Sequence, residues 1–152
     1  MSLDERGFWA LIELIDRTAL ADGDEDGAVA PIVEALEAGP VDDIFAFEER
    51  LARFLYALDG ERYADNAGES GATDDGFLYA RCYVVGQGRE HYEAVLADPS
   101  EMPKTLDEWL EAILGVASEA YERKTGLEWD YTASVSYDTG CNGELWPTGE
   151  SA

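Results

Sequence analysis

The polar residues with the clearest capacity for chemistry lie inside an otherwise apolar stretch, at Arg81, Gln87, Gly88 and His91. On a helix, a spacing of seven residues brings Arg81 and Gly88 within about 20° of each other, and His91 shares their stripe. A guanidinium inside a packed helix needs a carboxylate or carbonyl partner. Arg81 therefore either ties two helices together through an ion pair or lines an anion-binding pocket with Gly88 as its floor. Gln87 and His91 would complete such a pocket.

A second candidate is a metal site in the acidic turn at Asp22, Asp24 and Asp26. The run DGDEDG matches the opening of a calcium loop between two helices. The twelfth position, where such loops use a bidentate glutamate, is Val33, and Pro31 lies inside the loop. The match is therefore weak, and a solvated turn between two helices is the alternative.

The cysteines and the histidine do not indicate nucleophilic or zinc chemistry. Cys82 and His91 would lie on opposite faces of a regular helix, about 13 Å apart along its axis. One histidine and two cysteines are too few for the usual zinc ligand sets. We therefore expect no catalytic residues and no cofactor. Cys82 and Cys141 do not form a disulfide framework, which favours a reducing cytoplasm.

The charge of the chain restricts its partners. Its 34 acidic and 10 basic residues leave a net charge of −24, spread over the whole length. Binding to nucleic acid or to anionic lipid requires Lys and Arg, so neither partner is expected. No stretch is long and apolar enough to span a bilayer. Four interpretations of the acidity remain open: solubility, adaptation to high salt, a basic protein partner, and imitation of a nucleic-acid backbone toward such a partner.

The elements that must position these residues are helices. Residues 73–97 carry apolar residues on two faces, which predicts one long helix buried on both sides, capped by Thr73 or Asp74 and ended by Asp98-Pro99. The whole chain is predicted to be an all-α, single-domain bundle of about five main helices around this central helix. Residues 1–126 form the helical core, and residues 127–152 form an extended strap packed on it.

Capping patterns set the expected ends of the outer helices. A first helix begins at Ser2 and runs to the acidic turn, and a last helix begins at the capping box of Thr105 and Glu108 and ends at Gly126. In the tail, residues 131–138 alternate in polarity like a strand. We expect this segment to lie over the helices, anchored by Trp129 and Trp146; the alternative is an edge that pairs with another chain.

Several segments resemble a known family. These are GFWALIELI at residues 7–15, DDGFLYAR at residues 74–81, VVGQGR at residues 84–89, and Asp98-Pro99. Together they resemble the bacterial domain of unknown function 4240, over residues 7–125. Residues 63–68 depart from the Trp-rich segment that many members carry there, so a pocket built by those tryptophans is in doubt. The resemblance implies the fold and a bacterial cytosolic setting, and it transfers no catalytic residue.

These observations favour a non-enzymatic interaction or regulatory module that binds a basic partner through its acidic surface. An immunity-type protein that neutralises a basic toxin would be one form of it. The competing hypothesis is a small-molecule or anion binder, or an enzyme, with a pocket around Arg81, Gln87 and His91. The oligomeric state is left open by the sequence.

Overall fold

The computed structural model describes residues 3–146, and within this range it contains helices and no β-strand. The prediction of an all-α fold is therefore confirmed. The chain divides into two compact units: residues 3–51 with 111–134, and residues 52–110 with 135–146. The prediction of a single domain over residues 1–152 stays a prediction.

The helices alternate with short loops along the whole described range. The α-helices of this range are α1 (Glu5–Ile12), α2 (Arg17–Ala21), α3 (Glu25–Ala38), α4 (Val41–Ala57), α5 (Glu61–Asp65), α6 (Asp74–Gly86), α7 (Arg89–Ala97) and α8 (Val116–Thr125). Three-residue-per-turn helices occupy Gly68–Ala72, Pro99–Glu101 and Glu111–Gly115. The α4 helix contributes residues 41–51 to the first unit and residues 52–57 to the second.

The core of the first unit forms where α3 packs against α8, α1 and α2. The rings of Phe8 on α1 and Phe47 on α4 lie 5.0 Å apart between centroids, and both side chains are fully buried. Apolar residues of α3 recur at helical spacing, with Val29, Ile32 and Leu36 buried. This spacing turns one side of the helix toward the core.

The predicted single first helix is wrong, because the chain makes two helices there. Asp16 ends the first by capping the second: its carboxylate accepts hydrogen bonds from the backbone N–H groups of Thr18 (3.0 Å) and Ala19 (3.1 Å). The Asp16 N–H donates to the Ala28 carbonyl at 3.0 Å. An aspartate that caps in this way competes with helix continuation. Asp4 caps α1, and the predicted cap Ser2 lies outside the described residues.

The second unit is built on α6, which is buried over most of its length, as the two apolar faces predicted. Thr73 is its cap, since its hydroxyl accepts the Gly76 N–H at 3.0 Å. The Tyr92 hydroxyl on α7 donates to the Phe54 carbonyl at 2.7 Å and so joins α7 to the end of α4.

The prediction of one continuous central helix over residues 73–97 is wrong. The α6 helix ends at Gly86, and α7 begins at Arg89 after Gly88, whose φ is +108°. Glycine adopts positive φ without a Cβ penalty, so the Gly86-Gln87-Gly88 triplet interrupts the helix. Consequently Arg81 and His91 do not share one helical stripe.

The predicted helix from Thr105 also begins later than expected. Glu108 does accept the Thr105 N–H at 3.3 Å, which is one of the two bonds of a capping box, and it also accepts the Thr105 hydroxyl at 3.0 Å. These bonds close an isolated turn, and α8 begins only at Val116. The end of the helix is as predicted: Gly126 takes the left-handed conformation with φ +74°.

The tail contains neither helix nor strand in its described part, so the strand-like alternation at residues 131–138 does not produce a strand. Its predicted anchors are confirmed separately in each unit. Trp129 packs with Phe45 and Tyr121 in the first unit, and Trp146 bonds to Asp59 in the second. Residues 147–152 of the predicted strap lie outside the described residues.

Candidate functional site

Arg81, the leading sequence candidate, is fully buried in the second unit. Its Nη1 donates to the Leu55 carbonyl at 3.0 Å, and its Nη2 donates to the Thr139 hydroxyl at 3.1 Å. The guanidinium carbon lies 4.6 Å from the centroid of the Phe77 ring. Burial lowers the pKa of Arg81, and the charge of Asp59 opposes this shift. The bond to Leu55 joins α6 to the last turn of α4, which agrees with the interpretation that Arg81 ties two helices together. The partner is a backbone carbonyl, however, and not the carboxylate of an ion pair.

Asp59, which the sequence analysis did not single out, organises the same buried region. Its carboxylate accepts the N–H groups of Gly140 (3.0 Å) and Asn142 (2.9 Å) and the indole N–H of Trp146 (2.9 Å). Thr139 donates its hydroxyl proton to the Asp74 carbonyl at 2.8 Å. Hydrogen bonds to a buried carboxylate offset its loss of hydration. The tail thus closes over Arg81 and Asp59, which no solvent reaches.

Gln87 and His91 lie elsewhere, in a cleft of about 370 Å³ on the second unit. Arg81 and Gly88 are not among its lining residues. The remaining lining residues are Tyr83, Glu101, Met102, Pro103, Lys104 and Glu108. The structure therefore brings together two of the four predicted ligand-binding residues.

The charged groups of this cleft are largely engaged by the protein itself. The Lys104 ammonium donates to the carbonyls of Asn66 (2.8 Å), Ser100 (2.9 Å) and Met102 (3.0 Å), which uses all three of its protons. Glu108 accepts the bonds from Thr105 described above. The cleft consequently presents the amide of Gln87 and the imidazole of His91 rather than a free cation for an anion.

The predicted metal residues lie around the turn between α2 and α3. Asp22 follows the last residue of α2, and Asp26 lies within the first turn of α3. Asp24 caps α3 by accepting the Gly27 N–H at 3.0 Å. Because α3 begins at Glu25, the chain does not form the extended loop that calcium sites use. Among residues 3–146 no group of three or more side chains is arranged to hold a metal ion.

This turn instead forms one edge of a larger cleft in the first unit, of about 1070 Å³. The acidic lining residues are Asp24, Glu25, Asp26, Glu111 and Glu119, and the basic one is Arg123. Arg123 is already paired, at 3.4 Å with Glu119 and at 3.6 Å with Glu37. Glu25 accepts the Ala112 N–H at 3.1 Å. Asp26 and Glu111 are exposed, so the cleft offers uncompensated negative charge.

Glu48 carries a carboxyl of the first unit whose pKa is strongly shifted. The helical pattern places it away from the apolar stripe of α4, but its side chain is only 9% exposed. Burial raises its pKa to about 7, and the neighbouring Glu49 acts in the same direction. A carboxyl at this position is therefore largely protonated below neutral pH.

We expect the free energy of unfolding to fall as pH rises from about 4.5 to about 7, by about 3 kcal/mol from this residue. In that window folded Glu48 keeps a proton that the unfolded chain has released. Glu48→Gln should thus stabilise the protein at pH 8 and change little at pH 4.5. Urea unfolding at both pH values measures the difference. The exposed Glu34→Gln is the control for loss of one charge, and an equal gain in both variants would contradict the assignment to Glu48.

Residues 3–146 form an all-α structure with a surface cleft in each of the two units, and the chain is strongly acidic. A family model described as "Protein of unknown function (DUF4240)" matches residues 3–123, and the chain belongs to this family. The resemblance noted in the sequence is thereby confirmed. No curated protein and no solved structure matches the chain. None of the helices in residues 3–146 has the length and apolar content needed to cross a membrane.

Proposed function

We propose that this protein is a non-enzymatic interaction module that binds a basic protein partner through the acidic cleft of its first unit. The observation that carries the proposal is the cleft itself, a concave surface with five carboxylates and one guanidinium that is already paired. Concave surfaces lined by one sign of charge concentrate field lines and attract ligands of the opposite sign. Neutralisation of a basic toxin by an immunity-type protein would be one such function.

The alternative, a ligand site at Gln87 and His91, receives less support. Its cleft is about a third of the volume, and its lysine is held by three carbonyls. An anion would have to displace those bonds to reach the ammonium. We also propose a cytoplasmic location, because neither Cys82 nor Cys141 forms a disulfide and Cys141 is exposed, which suits a reducing compartment.

Titration with an octalysine peptide tests the proposal. We expect binding that weakens steeply with added salt, because exposed charges are screened within about 8 Å at physiological ionic strength. The double variant Asp26→Asn/Glu111→Gln should weaken binding by about fivefold, at about 0.5 kcal/mol for each rim carboxylate. The matched control, Glu69→Gln/Asp107→Asn, removes two exposed carboxylates from the second unit.

Calorimetry at low and near-physiological salt gives both affinities. A large loss in the first variant with little change in the second supports binding at the cleft. Equal losses in the two variants would show only diffuse attraction to a negative surface and would refute the cleft. No binding of octalysine at low salt would refute the proposed function as a whole.

A further inference from the structure

In addition to the acidic cleft, the first unit carries a cluster of four aromatic rings. We call it the aromatic patch, and it consists of Phe45, Tyr121, Trp129 and Tyr131. The rings come from α4, from α8 and from the segment that follows α8. Their centroids lie 5.2 Å apart for Phe45 and Tyr131, 5.4 Å for Tyr121 and Trp129, and 5.9 Å for Phe45 and Trp129. All four side chains are half-buried, so part of each reaches solvent.

Exposed carboxylates lie close in sequence to residues of the aromatic patch. Asp42 precedes Phe45 by one helical turn, and Glu128 and Asp130 flank Trp129; all three are exposed. Glu49 accepts hydrogen bonds from the Tyr131 hydroxyl and the Ser134 N–H, both at 2.9 Å, and from the Ser134 hydroxyl. These bonds place the Glu49 carboxylate beside Tyr131, one of the four rings.

The two basic residues of α8, Arg123 and Lys124, bond to groups outside the aromatic patch. Lys124 donates to the Glu37 carbonyl at 3.3 Å, and Arg123 pairs with the Glu37 and Glu119 carboxylates. Both cations are therefore directed toward α3. Leu127, two residues before Trp129, is 61% exposed. Leu127 therefore adds exposed apolar area to the segment that carries Trp129.

We propose that the aromatic patch recognises arginine side chains of the basic partner. A guanidinium is planar and weakly hydrated, so it stacks on aromatic faces while its N–H groups reach neighbouring carboxylates. Tryptophan, tyrosine and arginine also dominate the energetic centres of protein interfaces. A second copy of this chain is a poor occupant, because two chains of net charge −24 repel. This inference rests on the proposed function, and it specifies that the basic side chain recognised on the partner is arginine.

Octa-arginine and octalysine peptides, which carry equal charge, separate the two proposals. We expect the full chain in near-physiological salt to bind octa-arginine about fivefold more tightly, as about 1 kcal/mol of stacking implies. Trp129→Leu should remove this preference and leave the octalysine affinity unchanged. Leu127→Ser, a change at an exposed position, should reduce the octa-arginine affinity without affecting the fold.

A measurement on the unsubstituted chain covers the case in which Trp129→Leu fails to fold. Of the four indole N–H signals in a nuclear magnetic resonance spectrum, that of Trp129 should shift most with octa-arginine and not with octalysine. Equal affinities for both peptides with an unmoved Trp129 signal would overturn this inference and leave the proposed function standing. No binding of either peptide would refute both. Self-association that Trp129→Leu abolishes would make a second copy the occupant and overturn the arginine assignment.

Discussion

Replacing Asp59 with alanine is expected to lower the free energy of unfolding by about 3–5 kcal/mol, because it removes the carboxylate from a fully buried charged network. The substitution leaves the N–H groups of Gly140 and Asn142 and the indole of Trp146 without their acceptor. Each buried donor that loses its partner costs about 1–3 kcal/mol. The Arg81 guanidinium also loses the nearby negative charge that favours its ionised form.

Urea unfolding followed by circular dichroism measures this loss. Asp107→Ala is the matched control, since Asp107 is an exposed aspartate of the same unit; we expect a change below about 0.5 kcal/mol there. Hydrogen exchange gives a second reading, because the amides of Gly140 and Asn142 should lose protection in Asp59→Ala while those of α6 keep more of theirs. A loss no larger than that of Asp107→Ala would contradict the role of Asp59.

Replacing Arg81 with alanine is expected to destabilise the fold by about 3 kcal/mol. The guanidinium bonds to the Leu55 carbonyl and to Thr139, and its stem fills buried space over the Phe77 ring. Arg81→Lys should restore little of this stability, because a single ammonium cannot reproduce the two-armed geometry of the guanidinium. Unfolding by urea at neutral pH compares the two variants directly.

The exposed Arg89 provides the control for this experiment. Its pair with Glu93, at 3.1 Å, lies on the surface of α7, so we expect Arg89→Ala to cost less than about 0.5 kcal/mol. If Arg81→Ala kept full stability, the structural role of Arg81 would be wrong. The hypothesis of an anion-binding pocket at Arg81 would then be favoured. The tail covers Arg81, so it would have to move before a ligand could reach the guanidinium.

The helical class of this protein followed from local patterns. Apolar residues at helical spacing define α3 and α4, and residues on two faces predict that α6 is buried. Thr73 and Gly126 act as the caps that their residue types suggest. Helix caps and apolar periodicity depend on residues within a few positions of each other, so both can be predicted from the sequence alone.

The helix ends were harder to predict, because several residues favour either of two conformations. The pattern at Asp16 and at Gly88 is compatible with a continuous helix, yet each residue also supports a break. Thr105 and Glu108 have the spacing of a helix start, but their side chains close a turn without a helix. At Asp16 the backbone N–H donates to the carbonyl of Ala28 in another helix. This hydrogen bond forms only once the two helices pack together, so the local sequence does not predict it.

The candidate sites were predicted only in part for the same reason. Gln87 and His91, four positions apart, do line one cleft. Asp26 lies at the acidic cleft rather than in a metal loop, and Glu111, which lines the same cleft, comes from a distant segment of the chain. Asp59 gave no signal beyond being an acid at the end of an apolar helix.

By itself the sequence determined the helical class, the family and the large negative charge, since each depends on composition or on nearby residues. Only the tertiary structure decided which polar groups meet. The partners of Asp59 lie 81 to 87 positions further along the chain, and Glu49 bonds to residues 82 and 85 positions away. Such pairings depend on how the helices pack, because a polar group that loses water on burial must find a partner wherever the fold brings one.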